Sequence, residues 1–133
     1  MVFEIRQEST LPVLKMKLAM SDYSKQNEIF KKFETAVVLF SMWDAENDKF
    51  IILNKPAEII AEKNIIESNY ENTIYIQYKF SSKETKHIGM YKGEFLIQFT
   101  DEELDQLRVP IQKPLYINVK RNMTKTEVIK ANC

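Results

Sequence analysis

Apolar residues at every second position are the feature of this chain that most restricts its fold. In the run 14–20, Leu or Met stands at each even-numbered position, and Lys15 and Lys17 separate the first three of them. Only a strand with one buried face has that period. The same alternation recurs at 74–80 and 95–99. We therefore predict an all-β fold.

The middle of the chain predicts a hairpin. The run 36–43 is almost entirely apolar, which is typical of a central strand, and 44–48 supplies turn-forming residues before a second apolar run at 50–53. This second arm is predicted to end at 54–56. The polar residues 62–72 are predicted to form a loop.

Prolines mark the closing strands, 107–111 and 115–119. Pro110 and Pro114 interrupt this region, and a proline in a central strand removes a ladder hydrogen bond. These two residues therefore predict an edge strand, or a bulged strand that changes sheets. At the other end of the chain, the run 3–6 and the alternating run that follows it are expected to form consecutive outer strands.

The apolar period changes between 21 and 34. Phe30 and Phe33 fall on one face of a helix, with charged residues on the other faces. We predict one short helix, inserted near residues 24–33, that packs on a sheet through these two side chains. Membrane insertion is the alternative, but three apolar anchors, Ile29 with these two, on so short a helix favour packing in the core.

A turn followed by a glycine and a tyrosine predicts the type of sandwich. Ser81 and Glu84 have the spacing at which two side chains cap each other's backbone donors. Gly89 and Tyr91 follow, in the pattern of the corner where immunoglobulin-like sandwiches cross between sheets, and the Tyr91 hydroxyl is expected to bond back to the backbone. We predict an immunoglobulin-like antiparallel β-sandwich over 1–120. Residues 121–133 are expected to be a C-terminal tail, flexible or ordered by a partner.

Composition argues against several kinds of function. Nineteen basic residues balance nineteen acidic ones, so neither nucleic acid nor a membrane is an expected partner. Cys133 is the only cysteine and His87 the only histidine, which argues against a disulfide, a zinc site and base catalysis. Asp44, Glu46 and Asp48 resemble the start of a calcium loop but lack its glycine and distal glutamate, so weak calcium binding stays a minor alternative. We expect no cofactor and no catalytic residue, and hence no enzyme.

A family resemblance emerges from the order of the short motifs. These are LPVLKM at 11–16, AVVLFSM at 36–42, NKPAEI at 54–59, IYIQYKF at 74–80, SSKET at 81–85, GMYKGEF at 89–95 and VPIQKPLYI at 109–117. The succession resembles the N-terminal immunoglobulin-like domain of tailed-phage upper baseplate proteins and related phage structural proteins. It covers the chain from Phe3 to Val119. Compared with that family, the chain is expected to have an inserted helix and to lack the coiled stalk or receptor-binding domain that often follows the sandwich.

The resemblance implies a non-enzymatic structural protein of a tailed-phage virion. Such a protein would be made in the host cytoplasm, bind other virion proteins in the tail, baseplate or fibre attachment, and occur as a homo-oligomer or in symmetric copies. Capsid decoration is an alternative. The candidate interface residues are Phe30, Phe33, Trp43, Pro110 and Pro114.

A free-standing sugar-binding sandwich is the alternative from a different class of function. Aromatic rings stack on sugar rings, and several aromatic side chains are candidates for such a surface. They are Tyr23, Trp43, Tyr70, Tyr75 and Tyr116. Tyrosines on strands are more often simple strand formers, which makes this the weaker hypothesis.

Overall fold

The computed structural model describes residues 1–18, 31–66, 69–101 and 104–122. Within 63–66 and 69–72 it describes the backbone only. Its strands are β1 (Val2–Arg6), β2 (Leu14–Leu18), β3 (Val37–Asp44), β4 (Lys49–Ile66), β5 (Asn69–Tyr78), β6 (Gly89–Gln98), β7 (Gln106–Val109) and β8 (Leu115–Lys120). A short helical segment occupies 31–34. The all-β prediction is confirmed.

The strands form one path, β1-β8-β6-β3-β4-β5-β2, with β7 paired to β6. Strand β4 is long enough to belong to two sheets: its first part pairs with β3 and its second part pairs with β5. The path bends around the core, because residues of β2 line the same clefts as residues of β1 and β7. The result is a mixed sheet that comes close to closing as a barrel-like sandwich.

One pair of strands corrects the prediction of a purely antiparallel sandwich. β1 runs parallel to β8, with Val2 opposite Tyr116 and Arg6 opposite Lys120. Apolar alternation places one face of a strand inward but carries no information about the direction of its neighbour. The prediction that β1 and β2 are consecutive outer strands is confirmed, since they follow each other in the chain and lie at the two ends of the strand path.

The hairpin of β3 and β4 is confirmed, but its second arm is much longer than predicted. β4 continues through 54–56 to Ile66, so the predicted loop at 62–72 is instead largely strand, shared by β4 and β5. Asn54 has a positive φ of 49° and lies where the register between β3 and β4 shifts. Pro56 is tolerated because β5 begins to pair only at Glu58, so at the proline β3 is the one described neighbour of β4.

The core is rich in aromatic rings that pack against one another. Phe40 is fully buried and its ring centroid lies 4.6 Å from that of Tyr78, 4.8 Å from that of Phe95 and 5.8 Å from that of Phe80. Offset and edge-to-face arrangements of this kind add to the stabilisation that burial alone supplies. β3, β5 and β6 are held together by these contacts.

The helical segment packs against this core through Phe33. Its side chain is 6% exposed, and its ring meets that of Phe99 edge-on at 5.1 Å. Phe30, the predicted start of the helix and the tail beyond Asn122 lie outside the described residues. In the part of the chain that is described, no helix has the length and apolar character needed to cross a membrane.

Candidate functional site

A groove on the outer face of the sheet brings two aromatic side chains together on the protein's exterior. The register of three adjacent strands places its residues side by side: Trp43 of β3 lies between Phe50 of β4 and Lys92 of β6. Two residues away on the same face of β3, Ser41 is opposite Glu94 of β6. Side chains that are directly opposite on adjacent strands are close enough to touch, so the two aromatic residues form a single surface.

Two prolines complete the opposite wall of this groove. Pro110 follows directly on β7, and Pro114 stands directly before β8. β7 is short and, among the strands that the structure describes, pairs only with β6, which agrees with the edge strand that the prolines predicted. We call the cleft of about 320 Å³ the aromatic groove; its lining is Ser41, Trp43, Phe50, Lys92, Gly93, Glu94, Pro110, Pro114 and Leu115.

Three of the predicted interface residues therefore come together, although 67 positions separate Trp43 from Pro110 in sequence (110 − 43 = 67). Phe33 does not join them, because its side chain is buried against Phe99. Phe50, which is 55% exposed, was not predicted as an interface residue. Only the register opposite Trp43 reveals its position, since 50–53 is apolar throughout and gives no sign of which residues face outward.

The rim of the aromatic groove is polar. Lys92 and Glu94 are both exposed on β6, and Arg108 of β7 lies 3.5 Å from the Glu94 carboxylate. Exposed ion pairs of this kind contribute little to stability. They are better suited to orienting a partner, because charges at a rim favour complementary surfaces and disfavour others.

The corner at Tyr91 has the geometry that the sequence predicted. The Tyr91 hydroxyl donates a hydrogen bond of 2.8 Å to the backbone carbonyl of His87. Burial raises the pKa of this phenol, with smaller contributions from the charges of Asp44 and Glu46. Gly89 has a φ of 152°, in the region that side chains disfavour. A residue without a Cβ atom is therefore suited to this corner.

The turn before the corner is built around a buried carboxylate. Glu84 accepts a hydrogen bond of 2.9 Å from the Ser81 backbone N–H, and the Ser81 hydroxyl accepts a longer one of 3.4 Å from the Glu84 N–H. The expected reciprocal cap is present. Two further groups contact the carboxylate: the Tyr78 hydroxyl at 2.8 Å and the Lys55 ammonium at 2.8 Å.

These contacts set the protonation state of both acids. Burial alone would raise the pKa of Glu84, but the hydrogen bonds from Lys55, the Ser81 backbone and Tyr78 outweigh it and hold the pKa below its ordinary value. The pKa of Tyr78 is raised by burial and then by its hydrogen bond to Glu84 and by that residue's charge. Tyr78 is thus a protonated donor and Glu84 a charged acceptor.

The carboxylate of Asp44 is engaged in a turn. It accepts hydrogen bonds from the backbone N–H groups of Glu46 and Asn47, and a bond of 2.7 Å from the Asn47 side chain. The side-chain bond is the largest cause of the lowered pKa of Asp44. Among the residues whose positions are described, no group of three or more acidic, histidine or cysteine side chains is placed to hold a metal ion.

Of the other aromatic candidates, Tyr116 of β8 is opposite Lys92 and so lies in the same cross-strand row as Trp43, although it does not line the groove. Tyr75 lies apart on β5, with the Lys15 ammonium 4.2 Å above its ring. Tyr23 and the side chain of Tyr70 lie outside the description. In comparisons with known proteins, no family model, curated protein or solved structure matches the chain.

Proposed function

We propose that this protein is a non-enzymatic docking module of a tailed-phage virion, with an immunoglobulin-like fold. The aromatic groove is the observation that carries the proposal, because it brings Trp43, Pro110 and Pro114 into one exposed surface. The motif resemblance supports the virion setting, and the bond from Tyr91 to His87 supports the immunoglobulin-like interpretation.

The carboxylate and phenol groups with shifted pKa values also support a structural role. Asp44, Tyr78, Glu84 and Tyr91 all make hydrogen bonds within turns or at the corner. Perturbed groups of an enzyme usually face a cleft where substrate binds. None of the four lines the aromatic groove. Asp44 and Tyr91 line a second cleft of about 340 Å³ beside His87, where their hydrogen bonds to Asn47 and to the His87 carbonyl hold the turn and the corner.

The occupant that we propose for the aromatic groove is a segment of a neighbouring virion protein with an apolar anchor side chain. Aromatic and proline rings form walls that suit such an anchor, and buried anchors carry most of the affinity of a typical interface. Lys92 and Glu94 at the rim would pair with charges of opposite sign on either side of it. A stable contact needs roughly 800 Å² from each partner. Val37, on the same face at the other end of β3, is also exposed, at 46%, but does not line the groove.

The test of the virion setting is copurification. Phage particles released by cells that carry the encoding genome are purified and analysed by quantitative mass spectrometry. We expect the protein in intact particles at a fixed ratio to a major structural protein. If the protein is absent from the particles and stays in the soluble fraction, the virion proposal fails.

Substitutions in the aromatic groove test the docking surface. The double variant Trp43→Ser with Phe50→Ser should remain folded, because both side chains are partly exposed, and it should be lost from particles. Leu53→Ser is the matched control, since Leu53 is 58% exposed on the same strand as Phe50 but does not line the groove. Equal incorporation of both variants would contradict docking through this groove.

A sugar ligand is the second candidate, favoured by one observation. Trp43 and Phe50 lie in the same cleft as the polar groups of Ser41 and Glu94, an arrangement in which rings could stack on a sugar while polar groups bond to its hydroxyls. A glycan array probed with the isolated protein tests it. Specific binding that is abolished by Trp43→Ser would favour this candidate over protein docking.

A further inference from the structure

The strand path leaves a seam where its ends approach each other. β2 pairs only with β5, and β1 only with β8, among the strands that the structure describes. Between them lie two adjoining clefts of about 450 and 300 Å³, which share Met1, Met16 and Lys17 as lining residues. We call this continuous opening the seam. Pro110 and Leu115 line both the seam and the aromatic groove, whereas Trp43 and Phe50 line only the groove.

The backbone of β2 presents hydrogen-bonding groups to the seam. In an antiparallel ladder, only every second residue of a strand directs its N–H and C=O toward a given neighbour. β5 therefore takes one half of these groups in Leu14–Leu18, and the other half faces away from it. No described strand pairs with that side of β2. An open edge of this kind is a template for another strand.

The side chains along the seam are apolar and incompletely covered. Met16 and Leu18 of β2 and Leu107 of β7 pack on the core while remaining partly exposed. On the wall opposite β2, Val2 is 56% exposed and Ile111 76%. A strand laid along β2 would cover these groups with its own apolar side chains, since successive residues of a strand point to opposite faces.

The described charged residues at the seam are of one sign. Lys15, Lys17 and Lys113 line the two clefts, and none of the acidic side chains that the structure describes does. Lys15 and Lys17 are exposed on the face of β2 away from the core. An incoming strand would therefore place acidic residues on its outer face, opposite these lysines.

We propose that the seam of this protein accepts a β-strand from a partner protein, in which apolar residues alternate with acidic ones. The backbone of β2 supplies the hydrogen bonds, the open edge of the core receives the apolar side chains, and the lysines select the acidic ones. This strand addition does not depend on the aromatic groove. A second copy of this chain is an alternative occupant that the test distinguishes.

The experiment uses the full chain and an acetylated synthetic peptide of alternating Val and Glu. Binding is followed by NMR, together with hydrogen exchange of the β2 amides. We expect protection of every second β2 amide when the peptide is added. A peptide of alternating Val and Lys should bind at least tenfold more weakly, because it would place like charges opposite Lys15 and Lys17. A peptide with alternate amides N-methylated on its pairing edge should not bind.

Charge reversal on β2 identifies the site. The double variant Lys15→Glu with Lys17→Glu should bind the Val-Glu peptide roughly tenfold more weakly, as expected when two exposed attractive pairs become repulsive. It should bind the Val-Lys peptide more tightly than the wild type does. Lys79→Glu with Lys83→Glu is the matched control, because both lysines are exposed and neither lines the seam. The control should leave both affinities unchanged.

Three results would overturn the proposal. One is the absence of any change in the NMR spectrum or in amide exchange up to roughly 1 mM Val-Glu peptide. At that concentration even weak binding of about 4 kcal/mol is detected. Another is binding without protection of β2. The third is a concentration-dependent dimer that protects β2 without peptide, which would assign the seam to a second copy. The double variant at Trp43 and Phe50 should bind the peptide normally. The docking proposal for the aromatic groove and the strand-addition proposal for the seam can therefore fail independently of each other.

Discussion

The Tyr78 hydroxyl donates to both carboxylate oxygens of Glu84, at 2.8 and 2.9 Å. Tyr78 is the last residue of β5, and Glu84 lies in the turn that leads to β6. Lys55 of β4 binds the same carboxylate at 2.8 Å. One buried acid thus links two strands to the turn, and the removal of any partner leaves a buried polar group less well satisfied.

Loss of the Glu84 charge should destabilise the fold. In Glu84→Gln the neutral amide no longer pairs with Lys55, and its NH₂ group cannot accept the hydrogen bond from Tyr78. We expect the free energy of unfolding in urea to fall by about 1–3 kcal/mol. Glu62→Gln, at an exposed position on β4, is the control and should change it little. Equal effects of the two substitutions would contradict a stabilising role for Glu84.

The same carboxylate should make stability depend on pH in the acid range. The pKa of Glu84 in the folded protein lies below its ordinary value of 4.5, so the unfolded chain binds the proton more tightly. Its contribution is therefore complete above about pH 4.5 and is lost as the pH falls through the folded pKa. Urea unfolding of the wild type and Glu84→Gln across this range should show their difference shrinking in acid. A difference that is constant with pH would be inconsistent with this assignment.

Tyr91→Phe should cost about 1 kcal/mol in the free energy of unfolding, the net worth of a typical hydrogen bond. The substitution removes only the hydroxyl that binds the His87 carbonyl at 2.8 Å. Tyr116→Phe, on the half-buried face of β8, serves as the matched control. If thermal and urea unfolding show no loss for Tyr91→Phe beyond that control, the corner does not stabilise the fold.

Gly93→Ala should be destabilising through crowding. A Cβ atom at this position would overlap the side chain of Ile117 and press on those of Leu115 and Phe40. Both Ile117 and Phe40 are fully buried, so little room exists for them to move, and overpacking of this kind costs about 1–3 kcal/mol. Adding Ile117→Val removes the overlapping methyl group and should recover part of the loss. A double variant whose loss equals the sum of the single losses would argue against the overlap.

Local patterns in the sequence predicted local structure well. The alternation around Met16, and again at 74–80 and 95–99, identified β2, β5 and β6 because the period of a strand is a property of consecutive residues. The cap between Ser81 and Glu84 and the bond from Tyr91 to His87 span three and four residues (84 − 81 = 3; 91 − 87 = 4). Such short spacings can be read directly from the chain.

The length of β4 could not be predicted in the same way. Asn54 and Pro56 are typical of strand ends, yet β4 passes through both. The Ser41 hydroxyl stabilises this irregular backbone by accepting a hydrogen bond of 2.9 Å from the Asn54 N–H. That partner is thirteen residues away along the chain, and tertiary context of this kind overrides local propensity.

The sequence by itself determined that the chain is all-β, which residues alternate inward, and where the corner at Tyr91 lies. The tertiary structure alone decided that β1 runs parallel to β8, that Phe50 stands beside Trp43 across from Pro110, and that the edge of β2 faces a basic, apolar seam. The physical reason is distance along the chain. Strand direction, register and the closure of the sheet depend on contacts between remote segments, which no local period encodes.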